Sequence, residues 1–224
     1  MTGRWTDYFH KDSEKYHSLL ECAVNHWNYN DPLYFRIRNL IKPGARILDV
    51  GCGPGLSDIY LQACGYKVTG LEKDPEVLAQ AKENASYFKT PARFESGDAF
   101  DLSGYHNSFD LAYSVGVVEH FDRPTTVRLI REQARCASSV ITVIPTKYTS
   151  YSGQITDERI YTVSQLNGIM RDAGLNVVSQ FGYGNITSPV HNLVRRLLPH
   201  GALRVLQDRC SYAMGIACIG RKDQ

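Results

Sequence analysis

Nowhere in this chain do eighteen apolar residues follow one another, so no stretch reads as a membrane-spanning helix. The start, Met1-Thr-Gly-Arg-Trp-Thr-Asp7, lacks the charged-then-apolar order of a secretory signal. No run of five or more like charges appears, and 25 Lys and Arg stand against 23 Asp and Glu, a formal net charge of +2. Nothing in that balance asks for nucleic acid as a partner. Cys22, Cys52, Cys64, Cys136, Cys210 and Cys218 include no C-x-x-C pair, which removes the spacing signal for zinc or a redox motif, and no metal is expected. Scattered and mostly inside apolar runs, they read as the reduced thiols of a cytoplasmic protein. No internal repeat or low-complexity tract is present. What these absences leave is a globular chain of 224 residues, 43% hydrophobic. It is long enough for one substantial α/β domain that buries roughly 70% of its unfolded surface, with no second full domain.

What is present centres on Arg46-Ile-Leu-Asp-Val-Gly-Cys-Gly-Pro-Gly-Leu56. Ile47, Leu48 and Val50 read as a short strand buried on both faces, and Leu56, Ile59, Tyr60 and Ala63 recur at helical spacing after it. Between them, Gly51, Gly53 and Gly55 sit where the backbone must turn sharply and let a ligand approach without Cβ atoms in the way. Strand, glycine turn and helix form the first crevice of a doubly wound sheet, where ligands bind outside the carboxyl ends of the strands. The dinucleotide fingerprint G-x-G-x-x-G/A is missing, however, because this turn spaces its glycines G-x-G-x-G with Leu56 last. Asp49 also points a negative charge toward the place of a pyrophosphate, which like-charge repulsion disfavours. A cationic ligand suits the turn better.

Ile47-Leu-Asp-Val-Gly-Cys-Gly-Pro-Gly55 resembles the first motif of class I S-adenosylmethionine-dependent methyltransferases. The resemblance implies a ligand with an ammonium, a carboxylate and a sulfonium but no phosphate, so S-adenosyl-L-methionine is the expected cofactor. It extends over about Pro43 to Leu175 and is weaker on the flanks. The fold it implies is α/β: a doubly wound, mostly parallel seven-stranded sheet in the order 3-2-1-4-5-7-6, the last strand antiparallel, with helices on both faces. Residues 1–224 are then one methyltransferase domain, with an N-terminal helical cap (1–41), a Rossmann-like core (42–184), an insertion between the last two strands (185–210) and a final strand (211–224).

Along the core, the strand Tyr66 to Glu72 ends in an acid 21 residues beyond Gly51. An acid at about that distance from a nucleotide-binding turn accepts hydrogen bonds from ribose hydroxyls. Asp74-Pro75 caps the following helix. Lys73 stands where the family often has an apolar residue against adenine, a place its alkyl stem can fill. The next strand ends in Gly97-Asp98-Ala99, and the resemblance gives Asp98 the exocyclic amine of adenine and the Ala99 N–H the ring, with Asp101 as the competing acid. Ser108 to Phe121 reads as the fourth strand and its exit loop, whose carboxyl end faces the transferable methyl. Cys52, Ser114, Val115 and Tyr16 complete the expected cofactor set. His120 is the candidate to take a proton from the acceptor, since imidazole titrates near neutrality. The alternative is that it orients its own loop. Tyr148 and His191 are reserves.

The flanks leave more open. Residues 5–41 are rich in aromatics and hold both tryptophans. They read as two helices, one with the stripe Tyr16, Leu19, Leu20 and Ala23, the other beginning near Pro32 with Asp31 as cap. Either they pack on the sheet, or they cap the cofactor with Tyr16 or Tyr8 at its methionine end and Trp27 or Tyr29 lining an acceptor pocket. The segment Pro145 to Tyr161 is too long for a tight turn, and Tyr148, Tyr151, Asp157, Glu158 and Arg159 are candidates for acceptor recognition. Residues 190–206 carry an apolar face, interrupted by Pro199 and Gly201, that either covers the acceptor or makes a homodimer. The function that follows is methyl transfer to an O or N nucleophile of a small metabolite, with donor and acceptor held in line at about 3–3.5 Å. The rival readings are a dehydrogenase, a methyltransferase acting on RNA or protein, and a catalytically silent methyltransferase-like subunit.

Overall fold

Apolar and polar residues fail to alternate along most strands of this chain, and in the computed structural model, which describes residues 4–149, 158–184, 186 and 189–222, the reason is that both faces of one sheet are covered. β1 (Arg46–Val50), β2 (Lys67–Glu72), β3 (Arg93–Ser96), β4 (Phe109–Val115) and β5 (Ala137–Pro145) pair in parallel, whereas β7 (Gly215–Arg221) runs antiparallel between β5 and β6 (Asn176–Tyr183). The order is β3-β2-β1-β4-β5-β7-β6, as the resemblance implies. Ile141 and Val143 of β5 enter one hydrophobic cluster with Ala217 and Ile219 of β7. Val140 and Ile144 enter another with Ile216 and Cys218, so the period of two distributes one strand between two cores.

The helices between strands start where their caps put them. Asp74 accepts from Glu76 N and Val77 N at the head of α4 (Pro75–Tyr87), and Asp122 accepts from Thr125 N at the head of α5 (Arg123–Cys136). Thr162 and Gln165 form a capping box on α6 (Val163–Asp172). α3 (Leu56–Ala63) instead begins at Gly55, which is left-handed with φ +72° and offers no side-chain cap. Because β1 and β4 are neighbours, the chain reverses its winding between them, and the loops after β1, β2, β3 and β4 all emerge at that switch point.

Ahead of the sheet lie α1 (Arg4–Ser13) and α2 (Leu19–Leu40). The break expected at Asp31-Pro32 does not occur: α2 is continuous over 22 residues with Pro32 inside. Ala23, Asn30, Leu33, Tyr34 and Ile37 are buried along it, and packing on that scale outweighs the one hydrogen bond Pro32 cannot donate. Leu20, expected on the buried stripe, is 51% exposed. Trp27 donates Nε1–H to Leu56 O at 2.7 Å and packs on Tyr60 and Phe88.

The insertion forms two helices, α7 (Pro189–Leu197) and α8 (His200–Cys210), divided at Pro199. α8 lies on β6, with Asp208 Oδ1 accepting from Gly182 N at 3.0 Å. A Cβ on Gly182 would stand 2.4 Å from Gln207 O, so only glycine allows that approach. Leu193, Leu197 and Val205 remain exposed. Among the described residues no helix is long and apolar enough to cross a membrane.

Proline inside a helix costs about 3 kcal/mol relative to alanine in host helices, less whatever its stiffness removes from the unfolded chain. Pro32→Ala is therefore expected to raise the unfolding free energy by about 1–3 kcal/mol in urea melts with an unchanged m value. A loss of stability would contradict this account of α2.

Candidate functional site

At the switch point a cavity of about 370 Å³ opens, within the roughly 300–1,000 Å³ usual for small-molecule sites. Gly51 and Gly53 line it from the turn, Glu72 and Lys73 from the end of β2, and Asp98, Ala99 and Phe100 from the end of β3. Val115, Val117, His120 and Phe121 close it after β4, and Trp5 and Phe9 cover it from α1. Gly51 and Gly53 have φ +78° and +55°. A Cβ on Gly51 would stand 2.6 Å from Val117 Cγ2, and one on Gly53 would stand 2.8 Å from Phe9 Cζ. Conformation and space both demand glycine here.

Glu72 ties the turn to its neighbour strand. Its Oε2 accepts from Gly53 N at 3.1 Å, and its Oε1 accepts from Lys73 N at 2.7 Å and Asp74 N at 2.9 Å. A carboxylate has about four acceptor positions, and with three taken Glu72 keeps one, on Oε2, for a ligand hydroxyl. Opposite, Lys73 Nζ meets Asp98 Oδ2 at 2.7 Å, and Asp98 Oδ1 accepts from Phe100 N at 3.0 Å. The ammonium of Lys73 holds the Asp98 carboxyl below the usual carboxylate range. Phe100 meets Phe121 edge-on and carries the Arg128 guanidinium 5.0 Å above its ring.

His120 ends a single 3-10 turn, Val118–His120, and its ring stands edge-on to Trp5 at 5.0 Å. Arg159 holds that turn by donating from Nη1 to His120 O at 3.1 Å and from its backbone N to Glu119 O at 2.9 Å. Ligand atoms of Glu119, His120 and Glu158 lie within 4.8 Å of one another, a grouping among the described residues able to hold a metal ion.

Beneath the turn are two buried acids. Asp49 and Asp58 are 3% and 0% exposed, and Tyr113 Oη donates to Asp58 Oδ1 at 3.4 Å. Desolvation pushes the Asp49 carboxyl up to about 7, with the charge of Glu72 adding to it while Tyr113 opposes. Burial, and then the Asp49 charge, hold Asp58 well above the carboxylate range. The Cys52 thiol is likewise pushed up, by burial and by these acids. Ser57 Oγ, beside the pair, bonds to Tyr34 Oη and to His26 Nε2, both at 2.9 Å.

Of the residues singled out from sequence, Gly51, Gly53, Glu72, Lys73, Asp98, Ala99, Val115 and His120 come together in the cavity wall. Asp49 lies under the turn instead of on the wall, and the Cys52 thiol is 3.6 Å from Gly53 O. Ser114 is 1% exposed and bonds to Gln133, with Gln133 Nε2 at 3.2 Å. Tyr16 sits in the bend between α1 and α2, outside the wall. Tyr148 and His191 do meet, at 5.6 Å between ring centroids and with Tyr212 against both, but neither is in the cavity wall. Trp27 packs against the core, and among the described residues none of α7 or α8 is in the wall. Tyr151 and Asp157 lie outside the described residues. Trp5 and Phe9 line the cavity although the sequence reading does not single them out. Their signal is the spacing Trp5, Tyr8, Phe9, one face of a short helix.

A carboxyl with a higher pKa folded than unfolded holds a proton that the unfolded chain has released. Its stabilising contribution is full below about pH 4 and is lost as pH rises toward about 7. The unliganded protein is thus expected to be less stable at pH 8 than at pH 5.5. Asp58→Asn, which leaves one ionisable carboxyl in the pair, should flatten that slope in urea melts; an unchanged slope would contradict the assignment.

Residues 47–139 match a family described as a methyltransferase domain. The chain is 27% identical to a phosphoethanolamine N-methyltransferase of Triticum aestivum over 75% of its own length and 32% of that protein. It is also 27% identical to the ajmaline N-methyltransferase of Rauvolfia serpentina, over 70% of its own length and 52% of that enzyme. It covers 18% of phosphoethanolamine N-methyltransferase 3 of Arabidopsis thaliana, and so spans a third or less of the phosphoethanolamine enzymes named here. Among solved structures, magnesium protoporphyrin IX methyltransferase of Synechocystis PCC 6803 with bound S-adenosylhomocysteine superposes with a TM-score of 0.69. That match is 15% identical and covers 99% of this chain and 96% of that one. Glycine turn, strand order and superposition agree on the Rossmann-like fold of class I methyltransferases, and within that fold residues 47–139 are similar to a methyltransferase domain.

Proposed function

We propose that this chain transfers the methyl group of S-adenosyl-L-methionine to an oxygen or nitrogen nucleophile of a small metabolite. The observation that carries this reading is the Glu72 carboxylate, anchored on backbone N–H groups of the glycine turn and of its own following residues. An oriented acid beside a phosphate-free turn suits a diol attached to a cationic ligand. The cavity's lysine is paired with Asp98. The names of the matching relatives, which specify phosphoethanolamine and ajmaline, support a small acceptor.

In this reading Glu72 accepts from both ribose hydroxyls, one at the open position on Oε2 and one in place of a backbone donor on Oε1. Asp98 accepts from the exocyclic amine of adenine, the Ala99 N–H donates to the ring, and the Lys73 stem with Phe100 and Phe121 covers its faces. Gly51 and Gly53 let the backbone approach the amino-acid end, and the buried Asp49 supplies negative potential there. Trp5 and Phe9 exclude water from above. Cys52 supports the turn and Ser114 supports β4, and neither these two nor Tyr16 contributes a side chain to the wall. The bound cofactor supplies a methyl already activated by its sulfonium, so the residues around it mainly align the acceptor and keep the site dry. The His120 imidazole, at the cavity wall after β4, takes the proton the acceptor loses. Tyr148 and His191 carry no step.

Calorimetry with S-adenosylhomocysteine tests the site. Glu72→Ala removes charge-assisted hydrogen bonds of about 1.5–3 kcal/mol, an affinity loss of about 10- to 150-fold. Affinity within a factor of two of wild type would remove Glu72 from the ribose. In a transfer assay, His120→Gln is expected to lower turnover about 100-fold while cofactor affinity stays within about threefold. Normal turnover would end its role as base.

A further inference from the structure

The methyl-transfer roles use Asp49 as a source of negative potential and leave its buried neighbour Asp58 unexplained. Asp49 on β1 and Asp58 on the first turn of α3 are both buried beneath the glycine turn, with Tyr113 Oη donating to Asp58 Oδ1 at 3.4 Å, and each carboxyl acts electrostatically on the other. The titratable groups facing them are Tyr113 from β4, Glu72 from β2, Cys52 from the turn and Tyr34 from α2. All of these are neutral or anionic. His26, also on α2, is directed to Ser57. Asp58 Oδ2 is buried and meets no donor among the described residues. Two neighbouring carboxylates inside a protein do not both ionise without a compensating cation, and a buried acceptor lacking a donor is costly. One proton shared between the two carboxyls removes both difficulties.

Resting on the methyl-donor reading of the site, we propose that Asp49 and Asp58 share a proton and release it when the cationic end of the cofactor or its product settles against the glycine turn. The carboxyl O–H bond breaks, its proton passes to solvent, and the pair goes from one negative charge to two. The ligand's ammonium compensates the added charge, while Tyr113 keeps donating to the pair. The pair is therefore a specificity device for cations, and its field reaches the cavity through Glu72, which interacts with Asp49 and binds Gly53 N. Because deprotonation favours the cation, affinity rises with pH through the titration of the pair and then levels.

Isothermal titration of the full chain with S-adenosylhomocysteine, in buffers of differing ionisation heat between pH 6 and 8.5, decides it. About 0.5–1 proton is expected to leave per ligand bound near pH 6.5, with the dissociation constant falling by up to about tenfold per pH unit before it levels. Asp58→Asn should still bind but release almost none and lose the slope. His120→Gln, which removes the imidazole of the cavity wall, should keep both. Binding with no proton release in wild type overturns the proposal, as does full release in Asp58→Asn. Should that variant fail to fold, wild type and His120→Gln decide alone: a slope lost with the imidazole overturns the proposal, and a slope kept supports it. No binding at any pH would instead overturn the donor reading beneath it.

Discussion

The Glu72 carboxylate is the joint on which the site depends. The β1–β2 ladder brings Val50 beside Leu71, and Gly51 N and Cys52 N both donate to Leu71 O as the chain leaves β1. One residue later Glu72 accepts from Gly53 N, so the end of one strand holds the turn of the other in shape. Left-handed glycines alone permit many turns; this hydrogen bond selects one. The same carboxylate is thereby oriented before any ligand arrives, which lowers the ordering cost of binding.

That arrangement concentrates negative charge. Asp49, Asp58 and Glu72 converge under and beside one turn, and the groups facing the buried pair add no cation. Folding tolerates the concentration because burial keeps the two inner carboxyls protonated in part, and a bound cation relieves it further. Stability and ligand preference thus draw on one electrostatic term with opposite signs, a common trade at functional sites.

Much of this was legible from residues. β1, β2 and β4 declare themselves as apolar runs closed by glycine or acid, and Asp74 marks a helix start that the structure reproduces. Strand order follows from the resemblance and not from periodicity, which carries no information on neighbours. Pro32 misled because a local rule for starting helices met a helix stabilised by its buried face. Asp58 was silent because an acid in a first turn is commonplace, and nothing local says that Tyr113 and Asp49 enclose it. Trp5 and Phe9 differ from the neighbouring aromatics only in the face of a short helix they occupy, which long-range packing decides.

In the proposed mode of binding, a donor nucleoside is clasped by Glu72 at the head of the glycine turn. A crystal structure of the complex with S-adenosylhomocysteine tests it directly. Both ribose hydroxyls should lie at about 2.5–2.9 Å from the Glu72 carboxylate oxygens, with the adenine beside Asp98 and Ala99. A ribose bound elsewhere, or with neither hydroxyl touching Glu72, would contradict it.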